Sequence, residues 1–457
     1  MSHGLFEGID IDPHHQLLTG YANGHVAIEE DRKSAEHLLL IDVGITTDDA
    51  TDSLGEMFVV HHGTHPMRVC SRPMTGSLHV LGGEGRNAST LELFFDLVYV
   101  FAITQVVSFI HEYPTITGFA RGAFLLALLW WTWSIYTWTT NWTGTDGAPI
   151  RLFLLAAMGA TLLMALEVPN AFGEGSRWFG ITYFTVRMLA AGFYWVASKN
   201  YPTQRAAFFT FFPMSFVAAL LVMVGSFLDA PWLGILWIAG ASLDVFSAIN
   251  AGKGTWAVDA KHFAERNGLF VIIALGESIV GIGLAAADVP RDLIHLASLG
   301  LMFVVAGALW WSYFDKAAPR VETAFVEATG QARGRFARNA YSILHYPIVV
   351  GIVFFAVAAE EVVAHPSEPL SGTVAVAMAF GVGLVLVSVI GPVFRSIPRI
   401  FALRLVAVSG LALLAWFTTG ISAVGTAAVV AVVLIGELTW EHVHHWPAAS
   451  KQPFLRN

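Results

Sequence analysis

Beyond residue 90 the chain alternates apolar runs of span length with short polar breaks, the pattern of a protein that crosses a bilayer repeatedly. Twelve runs are long enough: 91–110, 118–138, 150–168, 178–198, 206–227, 231–249, 269–287, 293–314, 340–363, 372–393, 403–418 and 421–438. Each is expected to be an α-helix, because in hydrocarbon a helix satisfies its own backbone N–H and C=O groups. The expected fold is therefore all-α, a polytopic integral membrane helical bundle of about twelve transmembrane helices over 89–440, with a short tail at 441–457. The last two runs are short and nearly contiguous, so a re-entrant pair or one long broken helix fits the same pattern.

Residues 1–88 read differently. They lack helical periodicity and any run of span length, and the first 85 carry thirteen acidic side chains against four basic ones. Such a segment cannot bury a core, and a disordered extension is expected. It shows no basic stretch leading into an apolar core, as a signal peptide would. Met74 lies just upstream of the first run, so a chain starting there is expected to keep the whole membrane domain. The histidines of the extension, His61, His62 and His65 among them, read as a solvated tail, since no cysteine or carboxylate spacing completes a metal site.

Loop charge sets the orientation. Arg86, Arg151, Lys199, Lys261, Arg338 and Arg399 represent the many basic residues on the N-terminal side, whereas only Arg121, Arg177 and Arg291 fall opposite. The positive-inside rule then puts both termini in the cytoplasm. The runs also echo one another. The first and seventh each start Leu-Phe or nearly so and carry one acid, Asp96 and Glu277, and the second and eighth each carry Leu-Trp-Trp. Two parallel six-helix repeats, 89–249 and 262–440, would produce this resemblance.

Composition narrows the class further. With 55% apolar and only 13% charged residues, the chain has no material for the polar surface of a soluble domain. Its single cysteine, Cys70, excludes an internal disulfide framework and a cysteine-based metal centre. No phosphate loop, dinucleotide fingerprint or zinc-helix signature occurs, so neither a cofactor nor a metal is expected, and no basic domain points to nucleic acid.

The chemistry must come from acids and bases inside the runs. An ionised side chain at the bilayer centre costs ~3 kcal/mol even on a lenient scale. Glu92, Asp96, Asp244, Glu277 and His345 are therefore expected to face the bundle interior, with Arg187 as counter-charge. Glu92, Asp96 and Tyr99 are spaced four and three and form one stripe, while Gln105 lies half a rotation from Asp96. Asp96 and Glu277 are expected to line one shared polar cavity. His345 precedes Pro347, whose missing N–H favours a kink and exposes a carbonyl near the imidazole. The plainer alternative is that all these groups pair with one another and with loop arginines, fixing helix packing without chemistry.

The segments LELFFDLVYVFAITQ (91–105), HFAERNGLFVIIALGES (262–278) and WWSYFD (310–315) resemble the bacterial low temperature requirement A (LtrA) family. The resemblance implies a multi-pass protein of the bacterial cytoplasmic (inner) membrane, in a family linked to growth in the cold and without a settled activity. The matching positions include Glu92, Asp96, Gln105, His262, Glu265, Arg266, Glu277 and Asp315. The chain departs from the family pattern at Asn267, where an aromatic is usual, and in its long extension.

The leading functional expectation is a transporter or permease for a small molecule or ion, coupled to protons through intramembrane carboxylates. Its partners would be the bilayer and an unidentified solute. Glu92, Asp96, Glu277 and His345 are the candidate proton-coupling or acid–base groups. Tyr99, Gln105, Arg187, Asp244, His262, Glu265, Arg266 and Asp315 are candidates for a polar cavity. The alternative is a membrane-embedded enzyme acting on a lipid-phase substrate. A carboxylate-lined pore would favour transport, and a closed aromatic pocket opening to lipid would favour the enzyme.

Overall fold

The computed structural model describes residues 85–443 except 146, 252–255, 397 and 418–419, together with five strand segments nearer the N-terminus. The chain divides into two compact units, Met1–Ser77 and Leu78–Asn457. In the first unit β1 (Leu17–Ala22), β2 (His25–Glu30) and β3 (Leu39–Asp42) form an antiparallel sheet, and β4 (Val59–His62) pairs with β5 (His65–Arg68). These strands lie in the N-terminal extension, before the helical membrane domain expected at 89–440. The rest of the extension up to residue 84, and residues 444–457 of the tail, lie outside the described residues.

The second unit is helical. Its helices are α1 (Thr90–Glu112), α2 (Ile116–Thr143), α3 (Ala148–Leu166), α4 (Ser176–Ala197), α5 (Pro202–Gly225), α6 (Trp232–Ala251), α7 (Ala260–Ala287), α8 (Leu293–Phe314), α9 (Ala317–Glu327), α10 (Gly330–Phe336), α11 (His345–Ala364), α12 (Gly372–Ile390), α13 (Pro398–Phe417) and α14 (Ala423–Val443). Each of the twelve apolar runs overlaps a helix. Among the described residues, nine helical segments are long and apolar enough to cross a membrane. The runs on α2, α4 and α13 form helices of 28, 22 and 20 residues. The last two runs form two separate helices and not one long broken helix: Pro398 starts α13, where a missing N–H costs nothing, and α14 begins only at Ala423.

Caps written in the sequence start the key helices. Ser89 accepts from the Glu92 N–H while the Glu92 carboxylate accepts from the Ser89 N–H, a reciprocal capping box. Asp259 caps α7 by accepting from the His262 N–H at 3.3 Å. Asp292 caps α8 in the same way, and the backbone and ring nitrogens of His295 hold its carboxyl below the usual carboxylate range.

The apolar surface points both ways, as lipid permits and water would not. On α3, Leu152, Leu155, Leu162, Leu163 and Leu166 are exposed while Leu154, Met158 and Met164 are buried. The most enclosed helices are α11 and α12, which meet at Gly351 and Gly381. A Cβ on either glycine would run into the other's carbonyl oxygen, so small residues here allow backbone-to-backbone packing. Neighbour relations run α1–α3–α4–α5–α6 in the first half and α7–α11–α12–α13–α14 in the second, with α2 against α1 and α8 against α7. Between the halves, α1 packs on α7.

The run at 340–363 is not one regular helix. Residues Ala337–Ile343 form a π-helical turn between α10 and α11, a wider winding that frees backbone carbonyls and is common at functional sites.

Candidate functional site

Two polar clusters lie along the contact between α1 and α7, which begin at the same end of the bundle. At that starting end, Arg266 on α7 reaches both acids of α1: its Nη1 is 3.0 Å from Glu92 Oε1 and its Nη2 donates to Asp96 Oδ1 at 2.6 Å. Trp133 of α2 donates its indole N–H to the same Asp96 oxygen at 2.8 Å. Glu92, Asp96, His262 and Arg266 are all essentially buried. The cluster is not saturated, because Asp96 Oδ2 and Arg266 Nε are buried without a hydrogen-bond partner among the described residues.

The protonation of His262 follows from its neighbours. Asn141 accepts from the Asp259 N–H and donates to the Asp259 C=O, which fixes the orientation of its amide. Its NH2 then faces His262 Nδ1 at 3.1 Å, and Arg86 faces the same nitrogen at 3.3 Å. Between two donors Nδ1 accepts, and Nε2–H donates to Glu92 Oε2 at 3.2 Å.

A backbone strap closes this end. Gly85 and Arg86 donate their N–H groups to Asp259 Oδ2, and Ala88 donates to Glu265 Oε2 at 2.9 Å. Arg86 also donates to the Thr140 carbonyl. Residues 85–88 are thus tied to the first turns of α7. Hydrophobic pattern cannot reveal this, because the strap is held by the cap carboxylate Asp259 and by Glu265 of α7 and not by apolar burial.

The second cluster lies toward the far ends of the same helices. Thr104 of α1 donates to Glu277 Oε2 at 2.7 Å. One turn beyond Glu277, Gly281 lies so close to Glu360 of α11 that an added Cβ would overlap the carboxylate. Glu360 in turn pairs with His111 of α1 at 2.7 Å, and both are partly exposed. Eight residues, or ~12 Å of helix, separate Asp96 from Thr104. The layer between holds Tyr99, Ala102, Ile103, Phe270, Val271 and Ala274, all buried, with Tyr99 hydrogen-bonded to Thr132 at 3.0 Å.

The shared cavity expected for Asp96 and Glu277 is thus corrected to two clusters on one helix pair. Asp96 turns to Arg266, whereas Glu277 sits two turns deeper and finds only a hydroxyl. Arg187, the expected counter-charge, answers Asp244 among the expected inward-facing acids and neither Asp96 nor Glu277. It pairs with Asp244 of α6 through both terminal nitrogens, at 2.6 and 2.8 Å, and also donates to Tyr183 and Ser215. A third buried cation, Arg404, holds Glu437 and Glu441 between α13 and α14.

His345 stands apart from all of these. The π-helical turn sends the Leu344 N–H to Asn339, which leaves the Ala340 carbonyl to accept from His345 Nδ1 at 2.8 Å. Its Nε2 lies 2.8 Å from the Tyr313 hydroxyl, so both ring nitrogens are satisfied. The exposed carbonyl expected near this ring is present, but the irregular turn supplies it. Asp315 lies beside Lys316 in a partly exposed pair at 3.6 Å, and Gln105 is half-buried on α1. Glu265 is exposed apart from its bond to the strap. Thr104, His111, Glu360 and Trp133 had no signal beyond polar type and helical phase, and only the packing of α11 on α7 brings Glu360 in. Among the described residues, no three His, Cys, Asp or Glu side chains gather as a metal would require.

A separate cavity opens between α2, α4, α5 and the π-helical turn. Eight of its twenty lining residues are aromatic, and Ser342 of the turn accepts from the Trp138 indole at 2.9 Å while its backbone carbonyl accepts from Trp130 at 2.8 Å. Trp130 packs on Trp133 at 4.9 Å between centroids. One helix, α2, therefore bonds Asp96 through Trp133 and the cavity wall through its neighbours.

Apolar helices with charges gathered inside define a multi-pass helical membrane protein. The family model described as bacterial low temperature requirement A protein (LtrA) matches residues 87–437, and the chain belongs to that family. An uncharacterized protein of Rhizobium meliloti (strain 1021) is 31% identical over 307 residues, covering 62% of this chain and 71% of the relative. No solved structure matches.

Proposed function

We propose that this protein is a twelve-span permease of the cytoplasmic membrane, with both termini in the cytoplasm, that couples the movement of a small molecule or ion to protons carried along the α1–α7 contact. The observation that carries this reading is the pair of clusters on one helix pair, separated by an apolar layer. A proton reaching Glu277 from the far side would pass Glu360 and His111, which are partly exposed. From the starting side it would meet Asp96, whose second oxygen is unpaired. The apolar layer keeps the two from exchanging protons freely, as alternating access requires. Two six-helix repeats suit this reading, since the order of neighbours in the first half recurs in the second, and α1 and α7 would be equivalent helices meeting at the interface where transporter sites form.

The enzyme alternative draws on the aromatic cavity. No carboxylate or histidine is among the described residues that line it, so it offers no group for acid–base catalysis, and transport is the better reading. The test needs no knowledge of the solute. Purified protein in liposomes adsorbed on a solid-supported electrode is subjected to a rapid pH jump, and the displaced charge is recorded. The wild type should give a transient absent from protein-free liposomes, and Glu277→Gln should abolish it at unchanged melting temperature. A silent wild type, or an unchanged transient in Glu277→Gln, overturns the reading.

A further inference from the structure

The cavity between α2, α4 and α5 has the build of a ligand site. Its space between atoms is about 920 Å3 with its mouth included, of which about 100 Å3 admits the centre of a water-sized sphere. Phe208, Phe212 and Phe216 recur every turn along the α5 wall, the first two stacked at 4.7 Å between centroids. Trp138 and Trp256, 5.6 Å apart and nearly perpendicular, also line it. From Phe208 to Phe216 the wall runs ~12 Å along the helix, the length of a fused bicyclic ring or a medium acyl chain.

Charge along the cavity is uneven. Arg187 is neutralised at one end by Asp244, which it meets with two hydrogen bonds. Near the end of α6, Arg338 donates to the Ala248 and Ile249 carbonyls and to the Asn339 side chain. It therefore holds a full positive charge against neutral acceptors, with no carboxylate partner among the described residues. Trp131 adds a buried indole N–H that has no partner among the described residues. With donors and cations but no acid in its lining, the cavity would repel a cation and would leave Arg338 unanswered by a neutral ligand.

We infer that this cavity is the solute site of the permease proposed above and that it takes an amphipathic anion, an apolar body lying between the α5 phenylalanines and the tryptophans with one anionic head at Arg338. Stacking of a flat or acyl body on these rings contributes the apolar part of the affinity. A guanidinium suits a carboxylate or phosphate head. The ligand's head could belong to a dissolved organic acid or to an anionic lipid, and the chemistry at Arg338 is common to both.

The full chain, purified in a non-ionic detergent, is tested by equilibrium dialysis against 1-naphthoate, the neutral 1-naphthamide and the cationic 1-naphthylmethylammonium. Saturable binding of 1-naphthoate at one per chain is expected, with 1-naphthamide at least tenfold weaker and the cation not bound. Arg338→Gln should weaken naphthoate at least tenfold, while Arg338→Lys, which keeps the charge if the cap on α6 shifts, should stay within a few-fold of wild type. Phe212→Trp, which fills the space, should abolish binding at unchanged melting temperature. Competition by dibrominated phosphatidylglycerol, but not by phosphatidylcholine, would assign the site to a lipid, and lack of competition would assign it to a dissolved acid. No saturable naphthoate binding, equal binding of the cation, or an unaffected Arg338→Gln overturns the inference. Because dialysis does not depend on proton movement, loss of naphthoate binding with an intact pH-jump transient rejects this site alone. Binding without a transient rejects the proton path alone.

Discussion

Two buried arginines show how similar sequence signals arrive at different ends. Arg187 on α4 and Arg266 on α7 are both essentially inaccessible. Arg187 meets one acid through both terminal nitrogens, and Tyr183 and Ser215 complete its surroundings. Arg266 is shared by two acids, Glu92 and Asp96, and leaves Asp96 Oδ2 and its own Nε unpaired. A closed one-to-one pair in hydrocarbon has a single low-energy arrangement and suits a permanent fastening of α4 to α6. Two acids around one cation leave a carboxylate that can change its protonation without stranding the arginine.

That contrast gives the largest expected effect. Asp244→Asn leaves Arg187 buried without its counter-charge and should cost about 3 to 5 kcal/mol, visible as a large fall in melting temperature and membrane abundance. Asp96→Asn leaves Glu92 on Arg266 and should cost only about 1 to 2 kcal/mol, yet it should remove most of the pH-jump charge displacement. Equal destabilisation by the two variants would end the distinction between fastening and proton carrier.

Gly281→Ala is expected to act next in size. Its methyl group overlaps the Glu360 carboxylate and must push that side chain away from Glu277, so the charge transient should slow several-fold with a moderate loss of stability. His345→Asn is smaller again in function. Both ring nitrogens are already satisfied within the fold, so thermal unfolding should show a loss of about 1 to 3 kcal/mol, while the charge displaced per folded molecule stays the same. An intact melting curve with a lost transient would make His345 a proton carrier after all.

Much of this organisation was legible along the chain. Each apolar run overlaps a helix, because membrane burial requires length and internal hydrogen bonding, and both are local properties. The stripe of Glu92 and Asp96 on one face of α1, with its partners His262 and Arg266 one turn apart on α7, was legible in type but not in pairing. Which acid meets which base depends on α1 lying beside α7, a contact between positions 170 residues apart. The π-helical turn before α11 was hidden because Pro347 marks a break but not its form. The Glu360–His111 pair was hidden because both sit near helix ends, where exposed charge is ordinary. The smallest effect expected is none: starting the chain at Met74 should leave membrane abundance and the charge transient unchanged, since the family match begins only at residue 87. A loss of folded protein would give the first unit a role in the membrane domain.

The central claim is that Glu277 and Asp96 take up and release protons in the folded protein, and infrared difference spectroscopy reads that directly. When the pH bathing the reconstituted protein is lowered, the account predicts a growing carbonyl-stretch band from protonated carboxyl groups, diminished in Asp96→Asn and in Glu277→Gln and unchanged in His345→Asn. A difference spectrum identical in the wild type, Asp96→Asn and Glu277→Gln would contradict it.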